Sequence, residues 1–396
     1  MDMHILLLHP VSDWSLERVA EICAREGWLL TIATIESATI GDAIPTLHEW
    51  IRVPALTDDP RELLAQIGSR RFDAVVAGNE FAVVAADVLA RELGLHHNDV
   101  EKIRASRNKP LMREAFERHG VPQPRTIARF ASLEESRGFD WESVAFPVIV
   151  KPIDMAMSLF VRRCESRAEV EETIARMADF KLSRLTNYVF ATGALVEEYA
   201  EGPEFSIECV VQDGSVVAYS FTRKFVSPLP TCYEVAHLTG EEIPERHRGD
   251  LLAACENIAA GWGLVRGVMH VEFKMTDERL SVIEAGARPP GDHVPELVEL
   301  QHGFSLEEAF LHSRLGLDWK APDRPHRDEE VWHGIRFEYE ERSAATRPES
   351  VEVLRAENSL DGIVAGADLF SVNSRTGYAL VRGTSSSDLD DYLRAL

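Results

Sequence analysis

The chain has 396 residues, with 42 lysines and arginines against 66 aspartates and glutamates, a formal net charge of -24. That charge repels nucleic-acid backbones and anionic lipid surfaces, so neither a nucleic acid nor a membrane is an expected partner. With 45% hydrophobic and 27% charged residues, this is the composition of an ordinary soluble protein too long for one core, and two or three packed units are expected.

From Met3 to about Leu95, short apolar runs (HILLL, WLLTIAT, FDAVVAG) alternate with helical periodicity, first with Leu16, Val19, Ala20 and Cys23 on one face, later in EFAVVAADVLARELG. This βαβ alternation predicts an open, largely parallel sheet. The start, MDMHILLLHP, lacks the basic flank and cleavage site of a signal peptide, no run is long enough for a membrane helix, and a cytoplasmic location is expected. Gly94 ends the last of these helices, and Asn108 caps the next, LMREAFERHG, which stops at Gly120 before the breaker run VPQP. Further on, ALVEEYA, FSIECVVQ and VVAYSFTRKF read as one antiparallel meander, with turns at EGPE and at Asp213-Gly214. A helix (DLLAACENIAAGWG) and paired strands (RGVMHVEFKM, RLSVIEAGA) follow. After about Leu317 the Pro-rich, charged stretch APDRPHRDEE leads to strands and a short terminal helix. The five cysteines, Cys23, Cys164, Cys209, Cys232 and Cys255, lack CxxC spacing and read as buried or incidental thiols.

The most informative local feature is the pair Glu272 and Glu284. With Asp277, Glu278 and Arg279 as the hairpin loop, the two residues are symmetric about position 278 and face each other on one side of the ladder, as do His270 and Gly286. Opposed carboxylates repel unless a cation sits between them, and a hard divalent ion such as Mg²⁺ is the usual answer. An exposed hairpin with both carboxylates in water fits the same pattern. Arg288, four residues after Glu284, favours the first reading, because a metal beside a fixed guanidinium makes a phosphate site.

Lys151 ends the apolar run FPVIV, either as a functional cation or as a snorkelling structural lysine. Lys109, at a helix start, is uninformative alone. Glu197 and Glu204 bracket the turn in LVEEYAEGPE, placed to accept hydrogen bonds from an adenine or a ribose, or simply as ordinary hairpin charges.

Taken in order, Lys109, FPVIVKP, LVEEYAEGPE, HVEFK and IEAGAR resemble the ATP-grasp superfamily, and in particular its L-amino acid ligases and related carboxylate-amine ligases, over roughly residues 70 to 315. The resemblance implies an ATP-grasp fold of mixed α/β and α+β class. Its parts would be an N-terminal open parallel-sheet (pre-ATP-grasp) domain at 1–105, a two-lobed antiparallel α+β ATP-clamping domain at 106–316 with lobes of about 106–195 and 196–316, and a C-terminal α+β subdomain at 317–396. It assigns ATP contacts to Lys109, Lys151, Ser158, Glu197, Tyr199, Ala200 and Glu204, Mg²⁺ (with Mn²⁺ as a substitute) to Glu272 and Glu284, and the reacting carboxylate to Arg288. Glu234 and His237, a Glu-x-x-His pair in a loop, would meet the substrate amine. Asp292 and His293 would line the acceptor pocket or merely pack there, Asp292 facing a substrate ammonium.

The implied reaction joins a carboxylate to an amine through an acyl phosphate, releasing ADP and phosphate, with small-molecule partners, amino acids foremost, and a homodimer as the assembly to look for. The alternatives are an ATP-grasp enzyme of another class, such as a carboxylase or a phosphoribosyl-amine ligase, and a non-catalytic ATP-binding module. Two departures stand out. The phosphate-covering loop IDMAMSLFV has Met155, Met157 and Phe160 where glycine is common, and its backbone N–H groups can cradle phosphate without glycine if their φ values are negative; Gly286 stands where many relatives have a metal-binding Asn.

Overall fold

The computed structural model describes the chain except residues 1–2, 39–43, 45–46, 184, 241–242, 323–330, 340–345, 359–373 and 396, so most of APDRPHRDEE lies outside the described residues. The first sheet is parallel throughout, in the order β3-β2-β1-β4, from β1 (His4–Leu8), β2 (Leu29–Ile35), β3 (Leu47–Val53) and β4 (Ala74–Ala77). Three of these are the apolar runs of the sequence, as strands covered on both faces must be. The edge strand β3, LHEWIRV, alternates polar with apolar residues and carries no such run. Helices α1 (Asp13–Glu26), α2 (Arg61–Ile67) and α3 (Val83–Glu92) accompany it, followed by α4 (Val100–Ile103) and α5 (Lys109–Arg118). Ser12 caps α1 and Gly27, at φ 70, ends it, while Leu16, Val19, Ala20 and Cys23 are buried on one face.

The second sheet is antiparallel, in the order β5-β8-β6-β7, from β5 (Thr126–Phe130), β6 (Val148–Pro152), β7 (Arg162–Cys164) and β8 (Ala194–Glu198), with α6 (Leu133–Arg137) and α7 (Arg167–Ala178). The third has eight strands, β13-β12-β9-β10-β11-β14-β16-β15. They are β9 (Glu204–Gln212), β10 (Ser215–Val226), β11 (Glu234–Thr239), β12 (Gly267–Met275), β13 (Leu280–Gly286), β14 (Trp332–Tyr339), β15 (Val351–Glu357) and β16 (Arg375–Gly383). Helices α8 (Glu245–Trp262), α9 (Val294–His302), α10 (Leu306–Arg314) and α11 (Ser386–Arg394) complete the chain.

The single meander expected from ALVEEYA, FSIECVVQ and VVAYSFTRKF is in fact split between two sheets. β8 pairs with β5 and β6, whereas β9 pairs with β10 and β12. The EGPE turn is a crossover, not a hairpin. Its Gly202, at φ 101, lies so close to Met275 that a Cβ would stand 2.2 Å from the carbonyl oxygen, and only glycine fits. Asp213-Gly214 does close a hairpin, with φ of 52 and 80 and Gln212 opposite Ser215, the two positive φ values that a two-residue turn between twisted strands prefers.

Candidate active site

Period two decides what the eight-stranded sheet presents on each face. In β9, Phe205, Ile207 and Cys209 join the main core while Glu204, Ser206 and Glu208 take the other face. Register adds Thr222 and Lys224 of β10, His270, Glu272 and Lys274 of β12, and Glu284 and Gly286 of β13 to that polar face. Most are buried, so their charges must find partners. Lys224 Nζ lies 2.6 Å from Glu272, 3.0 Å from Glu234 and 3.9 Å from Glu204. His270 lies between Glu208 (2.9 Å) and Glu272 (3.1 Å), and Thr222 Oγ1 donates to Glu208 at 3.0 Å.

Burial works against charge throughout this cluster. At Glu272 it is outweighed by Lys224 and His270, which hold the carboxyl well below its usual range. At Lys224 the carboxylates outweigh it and the ammonium titrates well above a free lysine. At Glu204 burial wins over Lys224, and with Glu272 nearby the carboxyl rises to about 7.

Glu272 faces Glu284 and His270 faces Gly286, as the symmetry about position 278 predicts, but the route differs. The loop is residues 276–279, closed by a Thr276 N–H to Arg279 carbonyl bond of 2.8 Å. Met275 therefore pairs with Leu280, one step out of register, and a bulge at Ile283 restores the opposition of the two glutamates. Each carboxylate has its own lysine: Glu272 meets Lys224, and Glu284 lies 2.9 Å from Lys109. Lys109 is no surface residue. It is 5% exposed at the first turn of α5 and donates to the Met155 carbonyl at 2.7 Å.

Lys151 Nζ lies 2.7 Å from Glu197 and 3.4 Å from the bulged Ile283 carbonyl, to which Arg113 also donates at 2.6 Å. Arg113 grips both oxygens of Glu197, whose carboxyl, despite complete burial, is pulled down to about 2 by Arg113 and then Lys151. The Glu197 carboxylate thus fixes two cations on neighbouring elements. Tyr199 carries Arg163 and Lys274 over its ring at 4.8 and 4.9 Å, and Ala200 is buried beside it in the crossover.

The glycine-poor loop does not keep negative φ. Met157, Ser158 and Phe160 adopt φ of 60, 53 and 58, the conformation that glycine takes freely and that costs other residues about 1–2 kcal/mol each. Packing sustains it: Met155 is buried, Phe160 meets the edge of Phe180 at 5.6 Å, and Ser158 Oγ lies 3.5 Å from Glu234.

Glu234 and His237 lie on a strand rather than a loop. Residues three apart on a regular strand point to opposite faces, but Val226 pairs with Glu234 while Phe225 pairs with Ala236. The bulge at Val235 therefore turns Glu234 and His237 to the same side. Asp292 is already paired, with Arg375 at 2.7 and 3.0 Å and His237 at 3.4 Å, and Arg375 outweighs burial to hold its carboxyl well below the usual range. His293 packs between the rings of Trp14 (4.7 Å) and Tyr378 (4.5 Å).

Arg288 Nε donates to Glu80 at 2.5 Å, and Arg107 approaches the same carboxylate at 2.9 Å. Glu80 also accounts for Gly286, where a Cβ would stand 3.0 Å from its Oε2. The space an Asn side chain would need is filled by Glu80 from the turn after β4. Glu80, like Lys224 and Arg113, was missed in the sequence. A signal existed: GNEF directly follows the buried strand β4, and the carboxyl ends of parallel strands are where ligands bind.

The residues to which the sequence assigned ATP, metal or substrate contacts, Arg288, Asp292 and His293 included, line one cavity of about 770 Å³, as do Met155 and Met157 of the loop, whereas Phe160 does not. Converging cations beside opposed carboxylates suit a metal-bound polyphosphate, and the hard oxygen donors of Glu272 and Glu284 suit Mg²⁺. Among the described residues no third His, Cys, Asp or Glu joins these two in a metal-binding group, so phosphate and water would complete the shell, as Mg²⁺ commonly requires.

Residues 144–295 match the ATP-grasp domain model. The chain is 24% identical over 267 residues to alanine--anticapsin ligase of Bacillus subtilis (strain 168), covering 63% of this chain and 56% of that protein. It is 29% identical over 265 residues to dapdiamide A synthase of Enterobacter agglomerans, covering 63% and 59%. The chain thus spans little more than half the length of these relatives. The solved structure of an L-amino acid ligase from Bacillus licheniformis superposes with a TM-score of 0.78 at 19% identity, covering 99% of this chain and 96% of that one.

Proposed function

From the premise that this chain has the ATP-grasp fold, with an ATP-grasp domain over residues 144–295, we propose that it is an ATP-dependent carboxylate-amine ligase acting on amino acids. The observation that carries the reading is the polar sheet face with the opposed Glu272 and Glu284, which lines one cavity together with Lys109, Lys151 and Arg288. The relatives named for amino acid ligation support it.

In this reading Lys109 and Lys151 bind the phosphates of ATP, and Glu197 with Arg113 fixes Lys151 so that its ammonium loses little freedom on binding. The crossover at Tyr199 and Ala200 supplies backbone to the adenine, Glu204 meets the ribose, and Ser158 lies over the phosphates. Mg²⁺, or Mn²⁺ in its place, held by Glu272 and Glu284, would neutralise charge on the transferred phosphoryl group. Arg288, fixed by Glu80, orients the substrate carboxylate for in-line attack on the γ-phosphorus and then stabilises the oxyanion formed when the amine attacks the acyl phosphate. Amide, ADP and phosphate leave. Glu234, and the His237–Asp292–Arg375 group beside it, face the amine. The domain limits 1–105, 106–316 and 317–396 are part of the proposal.

Incubation with pairs of amino acids, reading ADP release and product mass, tests the function: one or more pairs must give ADP and a dehydrated conjugate in equal amounts. Failure of every pair to stimulate ADP release, while Lys151→Ala abolishes ATP binding, would leave a binding module instead. The loop carries its own expectation. Met157→Gly keeps the positive φ without strain but removes apolar cover from the cavity wall, and should raise the ratio of ADP to amide above one, because water then reaches the acyl phosphate. A ratio of one in the variant would deny the loop this role.

A further inference from the structure

Beyond the phosphate-binding end, the same cavity is lined by Leu7, Val11, Trp14, Val294, Phe310 and Leu311, from the first sheet, α1 and the α9–α10 pair. The contact of His293 with Trp14 at 4.7 Å ties this wall to the loop that carries Arg288. α1 and α10 pack on each other here.

Within this apolar lining stands a carboxylate, Glu307, 5% exposed. Its Oε2 accepts from Ser305 Oγ at 3.2 Å, whereas Oε1 has no hydrogen-bond partner. Arg18 is the nearby cation, but its guanidinium donates to Glu21 and Glu299, and Glu299 adds a like charge to the neighbourhood. Burial, the largest influence, pushes the Glu307 carboxyl up to about 7. Glu17 of α1 adds a second acid to the cavity wall. A desolvated carboxylate with a free acceptor is costly where it stands, and a charge-assisted donor arriving with a ligand removes that cost.

We propose that this end of the cavity receives a substrate whose apolar stem ends in a cationic group, a lysine-like amino acid or a diamine, with Glu307 as the specificity-determining acceptor. The identity of the ligand as a substrate rests on the ligase reading; the selectivity of the pocket does not.

The test compares L-lysine with L-norleucine, the same stem without the ammonium, by calorimetric binding to the full-length protein saturated with Mg·ADP and by amide formation in amino acid pairs. Lysine should bind about 10- to 100-fold more tightly, as a hydrogen bond to a charged group allows. Glu307→Gln, nearly isosteric, should remove most of that preference. Ser15→Lys, on the half-buried wall of α1, should reduce it as well, and guards against a folding defect in the first variant. Equal binding of the two ligands, or a preference unchanged in both variants, overturns the assignment. Selective lysine binding without ADP release would sustain the pocket and remove the ligase reading.

Discussion

Arg288→Lys is expected to lower kcat for amide formation by about 100- to 1,000-fold, the usual cost of losing a preorganised oxyanion donor, while the protein remains folded. Lysine is the informative replacement because it retains a positive charge beside Glu80. Alanine would leave Glu80, largely buried and held below its usual carboxylate range by Arg288 and Arg107, with one partner fewer, and would confuse catalysis with stability. What lysine cannot supply is the planar fork that reaches Glu80 through Nε and the Pro289 carbonyl through Nη1 and would still have an edge left for a carboxylate. Steady-state kinetics on the variant, with a thermal melt as the folding control, would read this. A loss below tenfold with an unchanged melt would take Arg288 out of the reacting centre.

Lys224→Met should cause the largest loss of stability. Methionine keeps most of the buried stem but leaves Glu204, Glu234 and Glu272 facing one another without their shared cation. Removing one side of a buried ion pair costs about 3–5 kcal/mol, and here three carboxylates lose a partner. The pH dependence has a definite sign. Without Lys224 the folded-state carboxyls titrate higher than in the unfolded chain, so above their ordinary range the folded state binds more protons and its stability falls as pH rises. The deficit relative to the unmodified protein should be larger at pH 7.5 than at pH 5, and millimolar Mg²⁺ should recover part of it through Glu272. Chemical denaturation at the two pH values would show this, and equal deficits at both would contradict the arrangement.

Much of the fold was legible because buried parallel strands and hairpins write themselves locally. HILLL and FDAVVAG became β1 and β4, and the facing glutamates were found because a hairpin imposes symmetry on its numbering. That symmetry was right for an incomplete reason, since a four-residue loop and the bulge at Ile283 cancel each other. Bulges are not visible in an alternation pattern, and the one at Val235 likewise let Glu234 and His237 share a face while lying on a strand. The EGPE turn misled because strand-turn-strand is written alike whether the turn closes a hairpin or crosses between sheets.

The supporting residues were hidden by distance along the chain. Glu80 and Arg288 are 208 positions apart, and Arg113 lies 84 from Glu197. No spacing rule joins them. Lys224 was in plain view in SFTRKF, but its role depends on strands on both sides of β10 and on the register that sets it opposite Glu204 and His237.

The central claim, that a carboxylate is activated by phosphorylation in this cleft, is tested most directly by isotope. A competent amino acid pair is supplied with the carboxyl oxygens of the acyl donor labelled with ¹⁸O, and the phosphate and amide are analysed by mass spectrometry. The acyl-phosphate route predicts that each phosphate released with an amide carries one labelled oxygen while the amide keeps the other. Unlabelled phosphate accompanying amide formation would contradict it.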